Sequence, residues 1–242
     1  ACGDPEEVGD IHQRLQVFIT ESDWDDRGVR RVATQHAISA MTKREPIQAW
    51  IIDDTGFLKQ GTHSVGVQRQ YTGSAGKTTN CQIGVSLSVT TPTEHVPIDF
   101  ELYLPKSWAE DPARRKEARI PDSVLFKTKP ELALDMIRRA VHDNVPLGIL
   151  LADSAYGDSS KFREEVRCLG LDYAVGVHAP TKVWRVDSLD RRRGEPISVR
   201  DLGLEIRERG GFRRVTWREG TRMRLSSFFA MRRVVPCHED SS

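Results

Sequence analysis

Residues 147–153, with the sequence Leu-Gly-Ile-Leu-Leu-Ala-Asp, form a short apolar run that ends at a carboxylate. An apolar run of this length without alternation is typical of a strand in the middle of a sheet, where both faces are covered. Residues 47–52 form a second, largely apolar run, which ends at Asp53-Asp54-Thr55-Gly56. The two runs therefore predict two buried strands whose C-terminal ends are acidic.

The segments around these runs predict a mixed sheet. Alternating apolar residues predict strands joined by short turns before residue 105, and helices alternate with strands after it. Helical spacing, with Pro130 in the first turn, predicts a helix at 129–144, and a second helix at 162–169 ends before Gly170. The predicted strands are 47–52, 64–71, 81–90, 95–104, 147–152 and 172–178. A four-stranded meander followed by helical crossovers predicts an α/β fold with a mixed sheet.

Composition divides the chain into three regions. Residues 1–45 are acidic and carry two weak helical patterns, so we interpret them as a small helical lead-in. Residues 46–181 contain the predicted sheet. Residues 182–242 contain fourteen arginines and nine acidic residues, and short alternating pieces at 213–217 and 225–233 predict further strands there.

Charge, apolar content and cysteines exclude several classes of protein. The formal net charge of +1 excludes a protein that is basic overall and coats DNA, although it leaves room for a local basic face. The longest apolar runs are far shorter than the ~18 residues of a membrane-spanning helix, so we expect no membrane contact. The four cysteines, at positions 2, 81, 168 and 237, lack the spacing of a zinc or redox motif, which predicts ordinary thiols in a reducing cytoplasm.

Asp53 and Asp153, which follow the two apolar runs, are the candidate catalytic residues. Ligands of open α/β sheets bind at the C-terminal ends of the strands, where these side chains are expected. Two carboxylates on neighbouring strands repel each other, and divalent cations between them would relieve the repulsion. Mg²⁺ binds one or two carboxylates together with water and phosphate oxygens, and a metal pair suits phosphodiester chemistry.

A purely structural role for the same residues is the alternative. Aspartate after a strand often starts a turn or caps a helix. Asp153 would then cap the helix that follows it, and Asp54-Thr55-Gly56 would be a turn. The spacing of the residues alone favours the structural role over the metal-binding role, because the turn signal is generic.

Two other kinds of phosphate chemistry are not favoured. The segment 73–78 superficially resembles a Walker loop, but only two residues separate Gly73 from Gly76 where the motif needs four, and the segment lies in a predicted hairpin. Phosphatases with an aspartate nucleophile carry an acid two residues later, where this chain has Thr55.

Several segments, taken together and in this order, resemble the core of insertion-sequence transposases of the DDE endonuclease superfamily. The second of the two aspartates lies in one of them, Ala152-Asp153-Ser154-Ala155-Tyr156-Gly157. The resemblance covers residues 45–240. The segments that carry it are 52–61, 64–73, 80–85, 102–108, 126–133, 152–157 and 217–238.

The resemblance implies an RNase H-like fold with a metal-binding triad of Asp, Asp and Glu. Its first motif, Asp-x-Thr/Ser, selects Asp53 over Asp54, and Asp153 matches the second position. Both would be catalytic and would bind Mg²⁺, or Mn²⁺ in its place. The third residue of the family is a Glu in a helix beyond a β-rich insertion. Residues 182–242 resemble the start of that insertion, so the chain is expected to be a fragment truncated at both ends, with 1–45 the remnant of an N-terminal region.

The function implied by the resemblance is Mg²⁺-dependent cleavage and joining of DNA by the intact transposase. Its partners would be the element ends and target DNA, with a homodimer in the synaptic complex, in the bacterial cytoplasm at the nucleoid. The alternative is an inactive remnant that acts at most as a DNA-binding module. The Arg-rich region has its own alternative, an ordinary solvated surface. The candidate DNA-binding residues are Lys59, Arg69, Lys77, Arg191, Arg192 and Arg193.

Overall fold

The computed structural model describes residues 5–22, 24–219 and 223–237. Its first half holds α1 (Pro5–Glu21), α2 (Asp26–Thr42), β1 (Ala49–Leu58), β2 (Gln68–Thr72), β3 (Lys77–Thr90), β4 (His95–Tyr103), α3 (Lys106–Ala109) and α4 (Pro112–Glu117). Next come α5 (Lys129–His142), β5 (Ile149–Ala152), α6 (Ser154–Gly157), α7 (Ser160–Cys168) and β6 (Tyr173–Val175). The C-terminal region holds β7 (Lys182–Val186), β8 (Arg192–Ser198), α8 (Val199–Glu208), β9 (Arg213–Glu219), β10 (Arg224–Phe229) and β11 (Val234–Pro236).

Six strands form the main sheet, and its topology confirms the predicted mixed α/β fold. The strand order is β2-β3-β1-β5-β6, and β4 also pairs with β3. The pairings of β3 with β1, β2 and β4 are antiparallel, whereas β5 is parallel to both β1 and β6. The meander precedes the parallel part because short turns can join antiparallel strands, whereas parallel strands need crossover helices.

The main core lies between one face of this sheet and helices α5 and α7. Alternate residues of β1 and β3, such as Trp50, Ile52 and Leu87, are buried there. Leu134 and Ile137 of α5 pack against them, at the helical spacing that predicted this helix. The indole N–H of Trp50 donates to the carbonyl of Pro146 at 2.9 Å. This buried polar group therefore has a hydrogen-bond partner.

Helix α2 is attached to the sheet both by apolar packing and by ion pairs. Ile38 and Met41 belong to the main core. The guanidinium of Arg30 contacts the carboxylate of Asp99 on β4, and Arg139 of α5 binds the same carboxylate at 2.7 Å. The two helices fit the helical prediction for residues 1–45, while the division of the chain into three regions stays a prediction.

Four expectations about individual strands were wrong. The strand expected at 172–178 covers only Tyr173–Val175. The strand expected at 64–71 begins only at Gln68, because Gly66 has a φ of +75° and the N–H of Val67 donates to the carbonyl of Ser64. The strand expected to end at Asp53 continues to Leu58, since β3 pairs with it throughout. The strand expected at 225–233 ends at Phe229.

Three further features of the described chain bear on earlier expectations. Helix α8 was not predicted, although Ser198 caps it by accepting the N–H of Asp201. Cys81, Cys168 and Cys237 are free thiols, and Cys2 lies outside the described residues. Within the described ranges, no helix is long and apolar enough to cross a membrane.

Candidate active site beside β1 and the C-terminal end of β5

The register of two parallel strands brings Asp53 and Asp153 together. Ile52 of β1 pairs with Ala152 of β5, and each aspartate is the next residue along its chain. Neighbouring strands lie about 4.8 Å apart, and residues at matching positions of parallel strands point to the same face. The structure therefore places the two predicted carboxylates side by side at one edge of the parallel pair, and both are exposed.

Asp53 lies within a strand rather than at the turn that was the alternative for Asp54-Thr55-Gly56. β1 continues past the end of β5 because its other neighbour, β3, pairs with it as far as Leu58. One oxygen of Asp53, Oδ1, accepts the N–H of Asp54 at 2.8 Å. Pairing with β3 fixes the backbone of Asp53, and β5 has already ended at this position. The carboxylate of Asp53 is exposed to solvent.

Asp153 caps helix α6, as the structural alternative expected. Its Oδ1 accepts the N–H of Ala155 at 2.9 Å. This hydrogen bond does not exclude metal binding, because an ionised carboxylate has two oxygens and about four lone-pair sites. The cap instead fixes the orientation of the side chain, so capping and metal binding can be served by the same residue.

Asp54 has a different environment from Asp53. Its carboxylate forms an ion pair with the ammonium of Lys129, the first residue of α5. A capping box of Thr128 and Glu131 fixes the start of that helix and hence the position of Lys129. No ion pair in the part of the chain that the structure describes involves Asp53. Asp54 is thus already neutralised, whereas Asp53 is available to a cation.

Tyr156 reports the electrostatic character of this edge. Its side chain is fully buried, and its hydroxyl is the one buried side-chain polar atom in the described residues that has no hydrogen-bond partner. Burial raises the pKa of Tyr156 far above its ordinary value, and the negative charges of Asp54, Asp153 and Asp53 raise it further. All three carboxylates therefore lie close enough to this hydroxyl to raise its pKa, and the electrostatic potential there is negative.

The donor set fits a divalent metal ion that shares its ligands with a substrate. The described residues contain no group of three or more His, Cys, Asp and Glu side chains that could hold a metal ion. Two neighbouring carboxylates are nevertheless a usual protein contribution to Mg²⁺, which keeps several waters and binds substrate phosphates. Asp53 and Asp153 are thus suited to weak metal binding that phosphate oxygens would strengthen.

Three of the candidate DNA-binding residues lie away from these carboxylates. Arg69 pairs with Asn80, whereas Asp53 pairs with Ser86, and this separation along β3 corresponds to about 20 Å. The N–H of Lys59 bonds to the carbonyl of Asn80, so Lys59 lies at the same distance. Lys77, at the start of β3, is about 30 Å away by the same measure. Lys59 and Arg69 both lie beside Asn80, and none of the three lysine and arginine residues flanks Asp53.

The three arginines of β8 and its leading turn are partly neutralised. Arg191 and Arg193 both bind the carboxylate of Asp187, at 3.0 and 2.8 Å. The backbone N–H of Arg191 also donates to this carboxylate, and these hydrogen bonds lower the pKa of Asp187. The guanidinium of Arg192 lies 5.6 Å from the ring of Trp184. The second carboxylate of the turn, Asp190, pairs with Arg233 at 2.9 Å, so the three arginines share only Asp187 and the turn stays positive.

Comparison with known proteins assigns the chain to a family. Residues 3–224 match the family model described as DDE superfamily endonuclease. The chain belongs to the DDE superfamily of endonucleases. Over 171 residues it is 31% identical to a probable transposase for insertion sequence element IS701 from Microchaete diplosiphon, a match that covers 70% of this chain and 42% of that protein. The chain thus spans less than half the length of this relative.

Membership in the DDE superfamily confirms the resemblance found in the sequence and agrees with the mixed sheet described above. DDE endonucleases generally depend on divalent metal ions, and the exposed carboxylates of Asp53 and Asp153 agree with this dependence. Sequence reasoning missed Lys129 and Tyr156 at this edge. The helix predicted at 129–144 already placed Lys129 at a helix start, but nothing in the sequence links Lys129 to Asp54.

Proposed function

We propose that the intact protein is a DNA transposase that cleaves DNA at the ends of an insertion element and joins the freed ends to target DNA. The observation that carries this proposal is the in-register placement of Asp53 and Asp153 on neighbouring parallel strands. Membership in the DDE superfamily supports the same reaction class. No observation on this chain favours an inactive remnant.

Asp53 and Asp153 would hold the metal ions, and Mg²⁺, replaceable by Mn²⁺, fits their carboxylate oxygens. When bound, such ions supply an activated water and neutralise charge on the phosphate that is attacked. The chain contributes position: β3 holds the backbone of Asp53 and the α6 cap holds Asp153. Because neither carboxylate needs to move, the arrangement is ready before substrate arrives.

Lys129 determines which of the adjacent carboxylates, Asp53 or Asp54, is available to a metal ion. By pairing with Asp54, it lowers the negative charge at the edge and leaves Asp53 as the carboxylate that faces solvent. A Glu from a part of the intact protein outside the described residues would complete the triad of the family. DNA would be the partner, with two copies of the protein on paired element ends.

The proposal is tested by cleavage assays on the intact transposase. Asp53→Asn and Asp153→Asn remove one metal-binding oxygen charge each while keeping side-chain volume, so each is expected to lower Mn²⁺-supported cleavage of an element-end duplex by at least about 100-fold. Asp172→Asn is the matched control, because Asp172 is also exposed but lies before β6, at the opposite edge of the sheet. The measurement is the rate of strand nicking on a labelled duplex. Normal nicking by either active-site variant would overturn the site assignment.

A further inference from the structure

The segment that follows β6 brings a histidine to the same edge as Asp53 and Asp153. β6 is the parallel neighbour of β5, and the N–H of Gly176, just beyond it, donates to the carbonyl of Ala152 at 3.0 Å. A Cβ atom on Gly176 would lie 2.9 Å from the backbone nitrogen of Ser154, so the two backbones are in close contact. His178, two residues further on, therefore lies beside the residues that directly follow Asp153.

Asp158 holds the imidazole of His178 in one orientation. The backbone N–H of His178 donates to Oδ1 of Asp158 at 2.8 Å, and the ring Nδ1 contacts Oδ2 of the same carboxylate. The hydroxyl of Thr181 also donates to Asp158, at 3.3 Å. Partial burial acts to raise the pKa of Asp158, but the hydrogen bonds from His178 outweigh it and lower the pKa overall. The two contacts with Asp158 thus hold Nδ1 of the ring toward this carboxylate.

This orientation turns the other ring nitrogen, Nε2, away from Asp158. With Nδ1 directed at Asp158, Nε2 points toward the start of α6, 3.5 Å from the hydroxyl of Ser154. The side chain of His178 is 62% exposed. Asp, His and Ser in this order resemble a hydrolase triad, but a distance of 3.5 Å exceeds the range of about 2.6–3.2 Å for an activated nucleophile. Because the ring is exposed and its contact with Ser154 is long, Nε2 is better suited to bind a ligand from solvent.

We propose that His178 is a phosphate-binding residue for the DNA strand that crosses the active-site edge, with Asp158 as the residue that positions it. The inference rests on the proposed function, because it requires DNA to lie over Asp53 and Asp153. An imidazole that donates one N–H to a carboxylate presents a second N–H, when protonated, to an anionic oxygen. The three neighbouring strands would then each supply one group of the site, within β1, directly after β5 and beyond the end of β6: two carboxylates for metal and one imidazole for phosphate.

The test is binding of a fluorescein-labelled duplex of about 30 base pairs to the 242-residue chain, followed by fluorescence anisotropy in Ca²⁺. His178→Ala is expected to raise Kd about tenfold, the effect of one hydrogen bond to a charged group, and to reduce the dependence of binding on salt. His178→Gln, whose amide can still donate, is expected to recover part of the affinity. Asp158→Asn is expected to weaken binding in the wild type but to add nothing to His178→Ala, because a positioning residue acts only through the ring it positions.

His142→Ala is the matched control, since His142 is exposed at the C-terminal end of α5, before β5 begins. Its Kd is expected to stay within about twofold of wild type. Equal Kd values for wild type and His178→Ala, with both proteins folded by circular dichroism, would overturn the inference while leaving the cleavage test of Asp53 and Asp153 unaffected. A wild-type chain that does not bind the duplex would overturn the inference together with the DNA partner of the proposed function.

Discussion

Asp53 and Asp54 are adjacent in sequence, but strand alternation sends their side chains to opposite faces of the sheet. Asp54 points toward the core side, where it meets Lys129 and lies close enough to Tyr156 to raise the pKa of its hydroxyl. Asp53 points to the open side at the position where β5 ends. The sequence motif selected Asp53 by resemblance, and the ion pair of Asp54 supplies a physical reason for the same choice.

Tyr156 allows a prediction at the scale of a single atom. Its buried hydroxyl has no partner in the described chain, so Tyr156→Phe is expected to raise the free energy of unfolding by about 1 kcal/mol in the absence of metal, because an unsatisfied buried hydroxyl is costly. The measurement is urea unfolding of the 242-residue chain in EDTA. A loss of stability of similar size would show that the hydroxyl has a partner in solution.

At the scale of elements, the site depends on how tightly α6 packs against the C-terminal end of β6. Gly157 ends α6, and a Cβ atom there would lie 1.9 Å from the carbonyl oxygen of Gly176. Both ends of this contact adjoin the site, since α6 is capped by Asp153 and Gly176 bonds to Ala152. The close approach of two backbones thus fixes Asp153 and His178 relative to each other.

This contact predicts a large penalty for one methyl group. Gly157→Ala is expected to lower the free energy of unfolding by about 3 kcal/mol, because backbone atoms on both sides must move to make room. Gly203→Ala is the control, since Gly203 lies inside α8 with open space around its Cα, and it is expected to stabilise the chain by up to about 1 kcal/mol. Thermal unfolding of both variants checks the pair. Equal effects of the two substitutions would contradict the close packing of α6.

At the scale of the whole molecule, the sequence predicted what local patterns determine. Alternation and helical spacing identified most of the main sheet and α5, and the two acidic strand ends predicted the shared edge. The patterns could not show that β1 runs on past Asp53, because that depends on pairing with β3 over long sequence separation. They also could not place Arg69 or Lys77 relative to Asp53, since strand register is a tertiary property.

The central claim, that Asp53 and Asp153 form one metal site, is tested most directly by titrating the 242-residue chain with Mn²⁺ and following free Mn²⁺ by electron paramagnetic resonance. We expect Asp53→Asn and Asp153→Asn each to lower the affinity for Mn²⁺ by about tenfold or more. The double variant is expected to bind Mn²⁺ no more weakly than the single variant with the lower affinity, because the two carboxylates share one ion. Asp172→Asn should bind as wild type does. Additive losses in the double variant, or wild-type binding by either single variant, would contradict a shared site.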